Sequence, residues 1–544
     1  MFGQQEGKLH RPHGEFACLS VGIGEDVWVV QDAAQLPDLF KLVSPAKYFL
    51  YYNSMYDIRQ LRRFLPMPQR PIWDCMIVEK ILWGGYFSIN EFALNDCVRR
   101  YLNIKMDKEP RKQFSVVSHM SDEMIHYAAT DVYLTYKVYL EQLKEIAKRR
   151  YDMKTYDLIE EPCIWATLDF KPVKVNVKRW HEMVKELTIR GRSLENDLGV
   201  NVNSHQQLKE FIKNNTGVKV DNVQEETLLI NANKIGKELV DKILLTKSLR
   251  KAESTYGEKW LANFVEDGDL VYADFKTVGT ETGRYACSNP NLQNIPAHKI
   301  PEYRQLFISA KGRLIVADAQ AQEPRILAHL SGDKALKQIF ADGQDVHTIV
   351  TRAIFKDDTI TKSDPRRDRE GKTINLASSY GLSAQGLADK LNIELADAET
   401  FLRNYFAKFS GVAAFRDRMY SQANRFEYVE SISGRRVWVN RHNYAWQNNS
   451  INAPIQASAA DLLKTWLTTF HNRCIIDKVE FPVVLVVHDE IVLDVPLEQV
   501  ALYKTMLKES FQVAAHKWFG DMPFELDVVH GTKWSCKKLN EEAD

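Results

Sequence analysis

The sequence predicts an α/β protein built from several domains. Its 544 residues are too many for a single hydrophobic core, which predicts two to four domains. Residues 14–147 alternate between strand-like and helix-like segments. Near the other end, residues 483–494 contain two short, mostly β-branched apolar runs between Pro482 and Pro496, a pattern typical of a buried hairpin.

The composition is that of an ordinary soluble protein without a membrane segment. Apolar residues make up 45% of the chain and charged residues 26%, as in globular domains. No stretch approaches the ~20 consecutive apolar residues of a transmembrane helix, and residues 1–16 lack the apolar core of a signal peptide. The seven cysteines form no CxxC pair, which favours reduced thiols in a cytoplasm over disulfides or a zinc site.

The net charge is zero, so any affinity for nucleic acid must come from local basic patches. Two segments carry such patches: Lys242, Lys247, Arg250, Lys251 and Lys259 in the first, and Arg366, Arg367, Arg369 and Lys372 in the second. A basic helix face is often only a solvated surface, and for the first patch both interpretations stay open.

The first 147 residues have the pattern of one α/β domain. The predicted elements are a hairpin formed by Phe16–Gly24 and Asp26–Gln31, a strand at Lys47–Tyr52 and a long helix at Met120–Lys148. Asp57 lies just beyond the strand. Tyr127 and Asp131 are four residues apart and therefore share one face of the long helix.

Residues 180–257 are predicted to be helical, after a connecting segment. Glu160–Trp180 is interpreted as a connection between domains. Helices are expected at Trp180–Leu198, Gln206–Asn214 and Lys234–Tyr256, and Asn203-Ser204 is a favourable N-cap for the second of them.

A polar segment follows at residues 271–296. It contains Arg284 and the amide-rich loop Asn291–Pro296. Asn and Gln in such a loop can be simple turn formers. They can also hydrogen-bond to base edges, and an arginine can reach the acceptors that all base pairs present in the minor groove.

Two acidic motifs lie at the ends of apolar strands. His488-Asp489-Glu490 forms the turn of the predicted hairpin, and a strand at Leu314–Ala317 leads to Asp318, with Glu323 just beyond. A solvated acidic turn is the simpler interpretation of the first motif alone. Two strand-borne aspartates meeting in one sheet would instead form a site for a pair of divalent cations. A helix from Leu497 to about Ala515 and a strand at Asp527–Gly531 are expected to complete this sheet.

The stretch from Ile326 to Val429 is predicted to be mostly helical, and one of its helices has a polarity suited to a nucleotide. Arg369, Lys372, Leu376 and Tyr380 recur every three or four residues and share one face. One end of that face is cationic and the other aromatic, which matches a nucleoside triphosphate.

Six motifs in this order resemble the signatures of family A DNA polymerases, the class of bacterial DNA polymerase I and its phage relatives. The segments that carry the resemblance are Thr282-Gly283-Arg284, Asn291–Pro296, Asp318 with Glu323 and Arg325, Lys372–Gly381, Asn452–Gln456 and Val487–Glu490. The resemblance extends from about residue 14 to nearly the end of the chain.

The resemblance implies an RNase H-like 3′→5′ exonuclease domain, incomplete at its N-terminus, followed by a right-hand polymerase. The implied divisions are an inactive exonuclease-like domain (1–150), the start of the palm (151–179), the thumb (180–257), the palm (258–327), the fingers (328–429) and the palm again (430–544).

The resemblance also implies roles for single residues. Asp318, Asp489 and Glu490 would be catalytic, with the two aspartates binding two Mg²⁺ ions that Mn²⁺ can replace. The implied nucleotide-binding residues are Lys372, Arg369, His347, Tyr380, Glu323 and Leu376, of which Glu323 and Tyr380 would exclude a ribose 2′-hydroxyl. The implied DNA-binding residues are Arg284, Gln293, Asn294, Asn452, Gln456 and His488.

The sequence departs from the family pattern in the nucleotide pocket. The family usually has arginine four residues before the motif lysine, where this chain has Asp368, so the role passes to Arg369. Leu376 replaces an aromatic residue, and Asn448 replaces an arginine.

The exonuclease motifs are also incomplete. Asn53-x-x-x-Asp57 and Tyr127-x-x-x-Asp131 resemble the second and third of them, but the D-x-E of the first is missing. We expect that the chain begins downstream of its true start or that the domain has lost a strand with its metal site. Either way, the sequence predicts no proofreading.

The expected function is DNA-directed DNA synthesis from deoxynucleoside triphosphates on a primer–template, with release of pyrophosphate. We expect a cytoplasmic monomer that has no membrane partner and can recruit replication accessory proteins. No 5′-nuclease domain precedes the chain, which favours a phage enzyme acting in the bacterial host cytoplasm, or a trimmed protein. A single-subunit RNA polymerase is disfavoured by Glu323, a non-catalytic DNA-binding relic by the retained motifs, and a dedicated nuclease by the missing D-x-E.

Overall fold

The computed structural model describes residues 16–107, 120–296, 300–379, 381 and 383–534. In its N-terminal region, the described residues 16–107 and 120–149 form two small sheets and five α-helices. Strands β1 (Leu19–Ile23) and β2 (Asp26–Val30) form the predicted antiparallel hairpin, and β3 (Phe49–Tyr51) pairs in parallel with β4 (Ile72–Asp74). The helices are α1 (Leu36–Val43), α2 (Ser54–Leu61), α3 (Cys75–Trp83), α4 (Leu94–Leu102) and α5 (Asp122–Arg149).

The predicted connection at Glu160–Trp180 is wrong, because this segment is a buried structural element. A π-helical turn, Tyr156–Glu160, runs into α6 (Glu161–Leu168), and β5 (Val173–Val175) follows. One side of α6 packs into the core of the N-terminal region through Ile164, while Cys163 packs into the main core of the molecule. A helix shared by two cores is apolar on all sides, so it shows no amphipathic pattern in the sequence.

The expected helical segment forms a subdomain with a small core of its own. Its helices are α7 (Val177–Leu198), α8 (His205–Thr216), α9 (Glu225–Ile230), α10 (Ala232–Ile235), α11 (Lys237–Tyr256) and α12 (Glu258–Phe264). Ser204 caps α8 by accepting a hydrogen bond from the Gln207 amide, as predicted. Leu208, Ile212 and Val240 lie in the small core.

Two short antiparallel sheets lead from this subdomain into the main sheet. Their strands are β6 (Val265–Glu266), β7 (Leu270–Val271), β8 (Asp274–Lys276), β9 (Ala286–Ser288) and β10 (Phe307–Ile308). The first sheet has the order β10–β5–β7–β6, and β8 pairs with β9 alone. Arg284 therefore lies in the loop of a hairpin.

The stretch after β11 (Arg313–Ala319) is helical, as predicted for residues 326–429. The helices are α13 (Gln322–Ser331), α14 (Lys334–Ala341), α15 (Val346–Phe355), α16 (Lys372–Ser379), α17 (Ala384–Leu391), α18 (Leu395–Lys408) and α19 (Ser410–Phe426). A π-helical turn, Arg367–Gly371, leads directly into α16.

The main sheet is formed by strands that are far apart in sequence. After the hairpin of β12 (Tyr428–Glu430) and β13 (Arg436–Trp438) comes the long helix α20 (Trp446–Asp477). The remaining elements are β14 (Val483–Val487), β15 (Glu490–Val495), α21 (Val500–Phe519) and β16 (Leu526–Gly531). The sheet has the antiparallel order β14–β15–β11–β16, and α20 packs along α21. The predicted hairpin and closing strand are confirmed.

All six cysteines in the described ranges are buried, and none of the six is in a disulfide. None of the helices there is both long enough and apolar enough to cross a membrane.

Candidate active site

Two aspartates meet at one end of the main sheet. Asp318 lies near the end of β11, opposite Glu490 of β15 on one side and Asp527 of β16 on the other. Asp489 lies in the two-residue turn between β14 and β15, and its carbonyl accepts a hydrogen bond from the Ala319 amide at 3.4 Å. The predicted meeting of two carboxylates from separate strands is therefore confirmed.

The electrostatics of this pair fit a bound cation. Burial and, after it, the neighbouring charges of Asp489, Glu490 and Asp527 together raise the pKa of Asp318 to about 7. Burial also raises the pKa of Asp489. A divalent cation between the two groups would stabilise their charged forms. No group of three or more His, Cys, Asp or Glu side chains in the described ranges forms a ligand set, but Mg²⁺ needs only one or two carboxylates when substrate phosphates complete its shell.

Glu490 is held by contacts behind the aspartates. It is buried, its Oε1 accepts a hydrogen bond from Trp534 Nε1 at 2.7 Å, and its Oε2 lies 3.8 Å from the Arg304 guanidinium. Arg304 also lies over the Trp534 ring, 4.3 Å from its centroid. These contacts give Glu490 a role in positioning the hairpin.

A cavity of about 240 Å³ opens beside Asp489. Its lining includes five residues that the sequence assigns to catalysis, nucleotide binding or DNA binding, namely Arg284, Gln293, Glu323, His488 and Asp489. Arg284 and Glu323 form an ion pair. Gln293 Nε2 donates a hydrogen bond to the carbonyl of Val486 at 3.2 Å. The structure thus brings together predicted site residues from separate parts of the chain.

Lys464, which also lines the cavity, belongs to a buried cluster of four charged residues. Its Nζ lies 2.6 Å from Oε1 of Glu160, Glu160 is ion-paired with Arg435, and Arg435 lies 2.9 Å from Oδ1 of Asp461. All four side chains are at most 2% exposed. This cluster was not predicted, because the i,i+3 spacing of Asp461 and Lys464 is too common a pattern to reveal it.

The cluster supports the loop that carries Arg284. Gly283 has a φ of +79°, and a Cβ at this position would lie 2.6 Å from Cζ of Arg435. Only glycine combines this backbone conformation with such a close approach. The guanidinium of Arg435 thus packs directly beneath the residue that precedes Arg284.

The structure describes part of the predicted nucleotide-binding helix. Asp345 caps α15, as its position before His347 suggests, and accepts hydrogen bonds from Thr348. Asn375 of α16 lies 3.4 Å from Nδ1 of His347. Lys372 begins α16 and is exposed. Tyr380 and the side chains of Arg369 and Leu376 lie outside the described part of the chain, so the predicted shared face is not tested there.

The other predicted DNA-binding residues lie at the edge of this site or beyond it. The carbonyl of Asn294 accepts a hydrogen bond from the Tyr256 hydroxyl at 2.7 Å. Asn452 and Gln456 are one turn apart on α20, and both are half-buried. Their assignment to DNA stays a prediction.

The first basic patch is largely neutralised within the protein. Arg250 pairs with Glu195 at 3.2 Å and with Glu253, and Lys247 donates a hydrogen bond to the carbonyl of Val223. Lys242 lies 3.8 Å from Asp197. Lys251 and Lys259 are exposed. These contacts favour a structural role for most of the patch.

The exonuclease-like motifs lie together in the N-terminal region. The pKa of Asp57 is raised to about 7, chiefly by burial and also by the nearby charges of Asp74 and Asp131. Asp74, which the sequence analysis missed, accepts hydrogen bonds from the amides of Asn53, Ser54, Met76 and Ile77 and from the Ser54 hydroxyl. Tyr127 packs in a small buried cluster with Cys18.

Comparisons with known proteins agree with this architecture. A family model described as DNA polymerase family A matches residues 174–536, and one described as 3′-5′ exonuclease matches residues 19–147. A thermostable DNA polymerase I from Thermus filiformis is 30% identical over 405 residues, covering 70% of this chain and 48% of that protein. DNA polymerase I from Bacillus subtilis is 28% identical over 421 residues, covering 72% of this chain and 47% of that protein. The chain therefore spans about half the length of these curated relatives.

A solved structure has the same fold along almost the entire chain. It is described as the POL domain of Pol1 from M. smegmatis in complex with DNA primer-template and dNTP. Its TM-score is 0.82 at 21% identity, and the match covers 98% of this chain and 99% of that one. An exonuclease domain followed by a polymerase domain is thus the confirmed fold. Because the family A model matches more than half of its residues, the chain belongs to DNA polymerase family A.

Proposed function

We propose that the chain is a template-directed DNA polymerase that adds deoxynucleotides to a primer 3′-hydroxyl and releases pyrophosphate. The observation that carries this proposal is the cavity that Asp489, the partner of Asp318, lines together with Arg284, Gln293 and Glu323. Phosphoryl transfer requires little covalent chemistry of a protein and depends on positioning and on neutralising charge. The cavity offers both. The M. smegmatis structure is described as a complex with DNA primer-template and dNTP, and this similarity supports the proposal that the present chain binds the same ligands.

Asp318 and Asp489 would hold two divalent cations, Mg²⁺ or in its place Mn²⁺. When bound, such a pair activates the attacking hydroxyl and stabilises the charge on the leaving pyrophosphate. The raised pKa of Asp318 supports this assignment, because closely spaced carboxylates are costly without a cation. Glu490 would position the hairpin through Trp534, as it does here.

The incoming nucleotide would lie between the main sheet and α16. Lys372, His347 and an arginine of the segment before α16, Arg369 by the sequence resemblance, would neutralise its phosphates. Glu323, with Tyr380 and Leu376, would form the wall that excludes a ribose 2′-hydroxyl. Glu323, held by its ion pair with Arg284, would occupy the space that a 2′-hydroxyl needs.

The primer–template would follow the cavity rim. Arg284 and Gln293 are close enough to the catalytic pair to contact the primer end, and Asn294, Asn452, Gln456 and His488 would extend that surface. The divisions 1–150, 151–179, 180–257, 258–327, 328–429 and 430–544 would then correspond to the exonuclease-like domain, palm, thumb, palm, fingers and palm. A monomer, accessory proteins and a role in phage replication stay predictions from the sequence.

Primer extension on a labelled hairpin tests this function. The parent should extend the primer with deoxynucleotides and Mg²⁺, and far less with ribonucleotides. Asp318→Ala and Asp489→Ala should each lower extension by well over a hundredfold while leaving DNA binding within about threefold, because a metal ligand is lost but phosphate contacts are not. Asp521→Ala, a fully exposed carboxylate on the same domain, is the matched control. Extension by either variant within tenfold of the parent would contradict the proposal.

A further inference from the structure

We propose that Arg367, not Arg369, is the arginine that contacts the nucleotide triphosphate, and that the π-helical turn before α16 places it there. The inference rests on the proposed polymerase function and concerns which side chain completes the phosphate site. The sequence offers Arg366, Arg367 and Arg369, none of which stands four residues before Lys372.

The helix geometry moves the register by one residue. In an α-helix each amide bonds to the carbonyl four residues earlier, so the position one turn before Lys372 would be Asp368. Here the Lys372 amide donates to the carbonyl of Arg367, five residues earlier. A single π-turn accommodates one extra residue in this way. Arg367 is therefore the residue one turn before Lys372.

The π-turn lies against the helix that carries His347. A Cβ on Gly371 would lie 1.8 Å from Oγ1 of Thr351 and 2.9 Å from the carbonyl of His347, both on α15. No larger residue would permit this approach without a shift of one of the two segments. Lys372 thus begins its helix directly beside the first turn of α15.

The Arg367 side chain points to the same junction. Its Nε and Nη2 donate to the two carboxylate oxygens of Asp345 at 2.8 and 2.6 Å. Asp345 caps α15 two residues before His347, and Arg367 is 15% exposed. The guanidinium is thereby bound to the residue that caps α15, and the Arg367 backbone lies one turn before Lys372. Carboxylates and phosphates bind the same planar fork, so an incoming phosphate would compete with Asp345 for Arg367.

Arg366 faces different partners. It pairs with Asp364 at 2.7 Å and with Asp357 at 3.2 Å, and it lies over the ring of Phe355. These contacts hold the loop after α15 and leave Arg366 outside the junction. Positions two apart on a helix do not share a face, so a contact made from position 367 is not available to position 369.

Nucleotide affinity decides between the two arginines. The complex with a primer that ends in a dideoxynucleotide cannot turn over, so dNTP binding to it can be titrated at equilibrium with Mg²⁺. Arg367→Ala should weaken dNTP binding at least tenfold, and Arg367→Lys, which keeps the charge but not the fork, should have an intermediate effect. Arg369→Ala is expected to have the smaller effect of the two alanine variants. Arg366→Ala, with its surface partners, is the control and should bind like the parent.

Removing Asp368 tests the register directly. In a chain that lacks Asp368, Arg367 lies four residues before the lysine, so an ordinary α-helical turn would keep it one turn away. The deletion variant should therefore bind dNTP with an affinity within about threefold of that of the parent. A deletion inside a regular helix would instead rotate every preceding side chain. A larger loss from Arg369→Ala than from Arg367→Ala would overturn the proposal, as would tenfold weaker binding by the folded deletion variant. If the parent binds dNTP but does not extend primers, the proposed polymerase function is wrong. The comparison of the Arg367 and Arg369 variants would still show which arginine contacts the nucleotide.

Discussion

The ion pair between Arg284 and Glu323 makes two assigned roles depend on each other. Arg284 is assigned to the primer and Glu323 to the nucleotide sugar, yet the two side chains are bound to each other across the cavity. Without its partner, Glu323 would carry a partly buried charge with less compensation. A substitution at one residue therefore changes both the primer contact and the sugar contact.

Glu323→Ala should raise ribonucleotide incorporation relative to deoxynucleotide incorporation by tenfold or more. The shorter side chain leaves space for a 2′-hydroxyl, which the glutamate would exclude sterically. The measurement is the ratio of kcat/KM for the two sugars on one template. Glu509→Ala, an exposed glutamate on α21, is the control. A ratio within twofold of the parent would mean that Glu323 does not form the wall.

At the scale of elements, the four buried charges join three segments that are distant in sequence. Glu160 ends the π-helical turn before α6, Arg435 lies in the β12–β13 turn, and Asp461 and Lys464 lie on α20. Asp461 Oδ2 also accepts hydrogen bonds from the hydroxyls of Ser431 and Ser433, at 2.6 and 2.7 Å. Removing one partner of a buried ion pair is strongly destabilising, because it leaves the other charge uncompensated.

Glu160→Gln should lower stability by roughly 3 kcal/mol, the lower end of the cost of breaking a buried pair. Lys464 would lose its carboxylate partner, while Arg435 would keep its contact with Asp461. The change in the free energy of unfolding is measured by urea denaturation, monitored by tryptophan fluorescence. Asp152→Asn, which breaks an exposed pair with Lys154 nearby in the chain, should leave the free energy of unfolding essentially unchanged. Equal effects of the two substitutions would show that the cluster contributes no more than a surface pair.

The exonuclease-like elements should not shorten a mismatched primer. Asp74 is occupied by backbone hydrogen bonds, and β1, with the sequence LSVGI, carries no carboxylate. This leaves Asp57 and Asp131, too few ligands to clamp the attacking and leaving oxygens with two ions. A labelled primer with a 3′ mismatch, incubated with Mg²⁺ and without nucleotides, should stay intact. Shortening that disappears in Asp131→Ala would show an active site.

The sequence predicted the elements whose pattern is local. The β14–β15 hairpin, the long helix α5 and the Ser204 cap follow from short-range periodicity and capping chemistry. Helix α6 was mistaken for a connection because burial on all sides removes the periodic signal. The partners of Arg284, Lys464 and Gly283 depend on long-range packing, which no local pattern encodes. The π-turn before Lys372 was also invisible, because one extra residue in a helix leaves composition and approximate period unchanged.

At the scale of the whole molecule, the N-terminal region is docked on the β12–β13 hairpin. The Trp438 amide donates to the carbonyl of Gly84 at 2.9 Å, and its indole donates to the carbonyl of Leu82 at 2.8 Å. The rings of Trp83 and Trp438 stack with centroids 5.8 Å apart, and the guanidinium of Arg149 lies over both. A single tryptophan thus contributes hydrogen bonds and ring contacts to the same interface.

Gly85→Ala should weaken this docking. Gly85 has a φ of +89°, and a Cβ there would lie 2.4 Å from the Trp438 carbonyl oxygen. Gly24→Ala is a close control, because its φ of +62° is also positive but nothing lies within 4 Å of the added atom. Limited proteolysis should cleave between the N-terminal region and the rest of the chain faster in Gly85→Ala than in Gly24→Ala. Equal cleavage rates in the two variants would mean that the positive φ causes the cleavage, and not the clash with the Trp438 carbonyl.

The β12–β13 hairpin has a consequence for dividing this protein into parts. Trp438 on its second strand binds the N-terminal region, and Arg435 in its turn supports the loop of Arg284 beside the cavity. A chain cut near residue 150 would uncover the Trp438 indole and leave its donors without the carbonyls of Leu82 and Gly84. The exonuclease-like region is thus a structural component of the polymerase half even if it cleaves nothing, and the boundary at residue 150 does not separate two independent proteins.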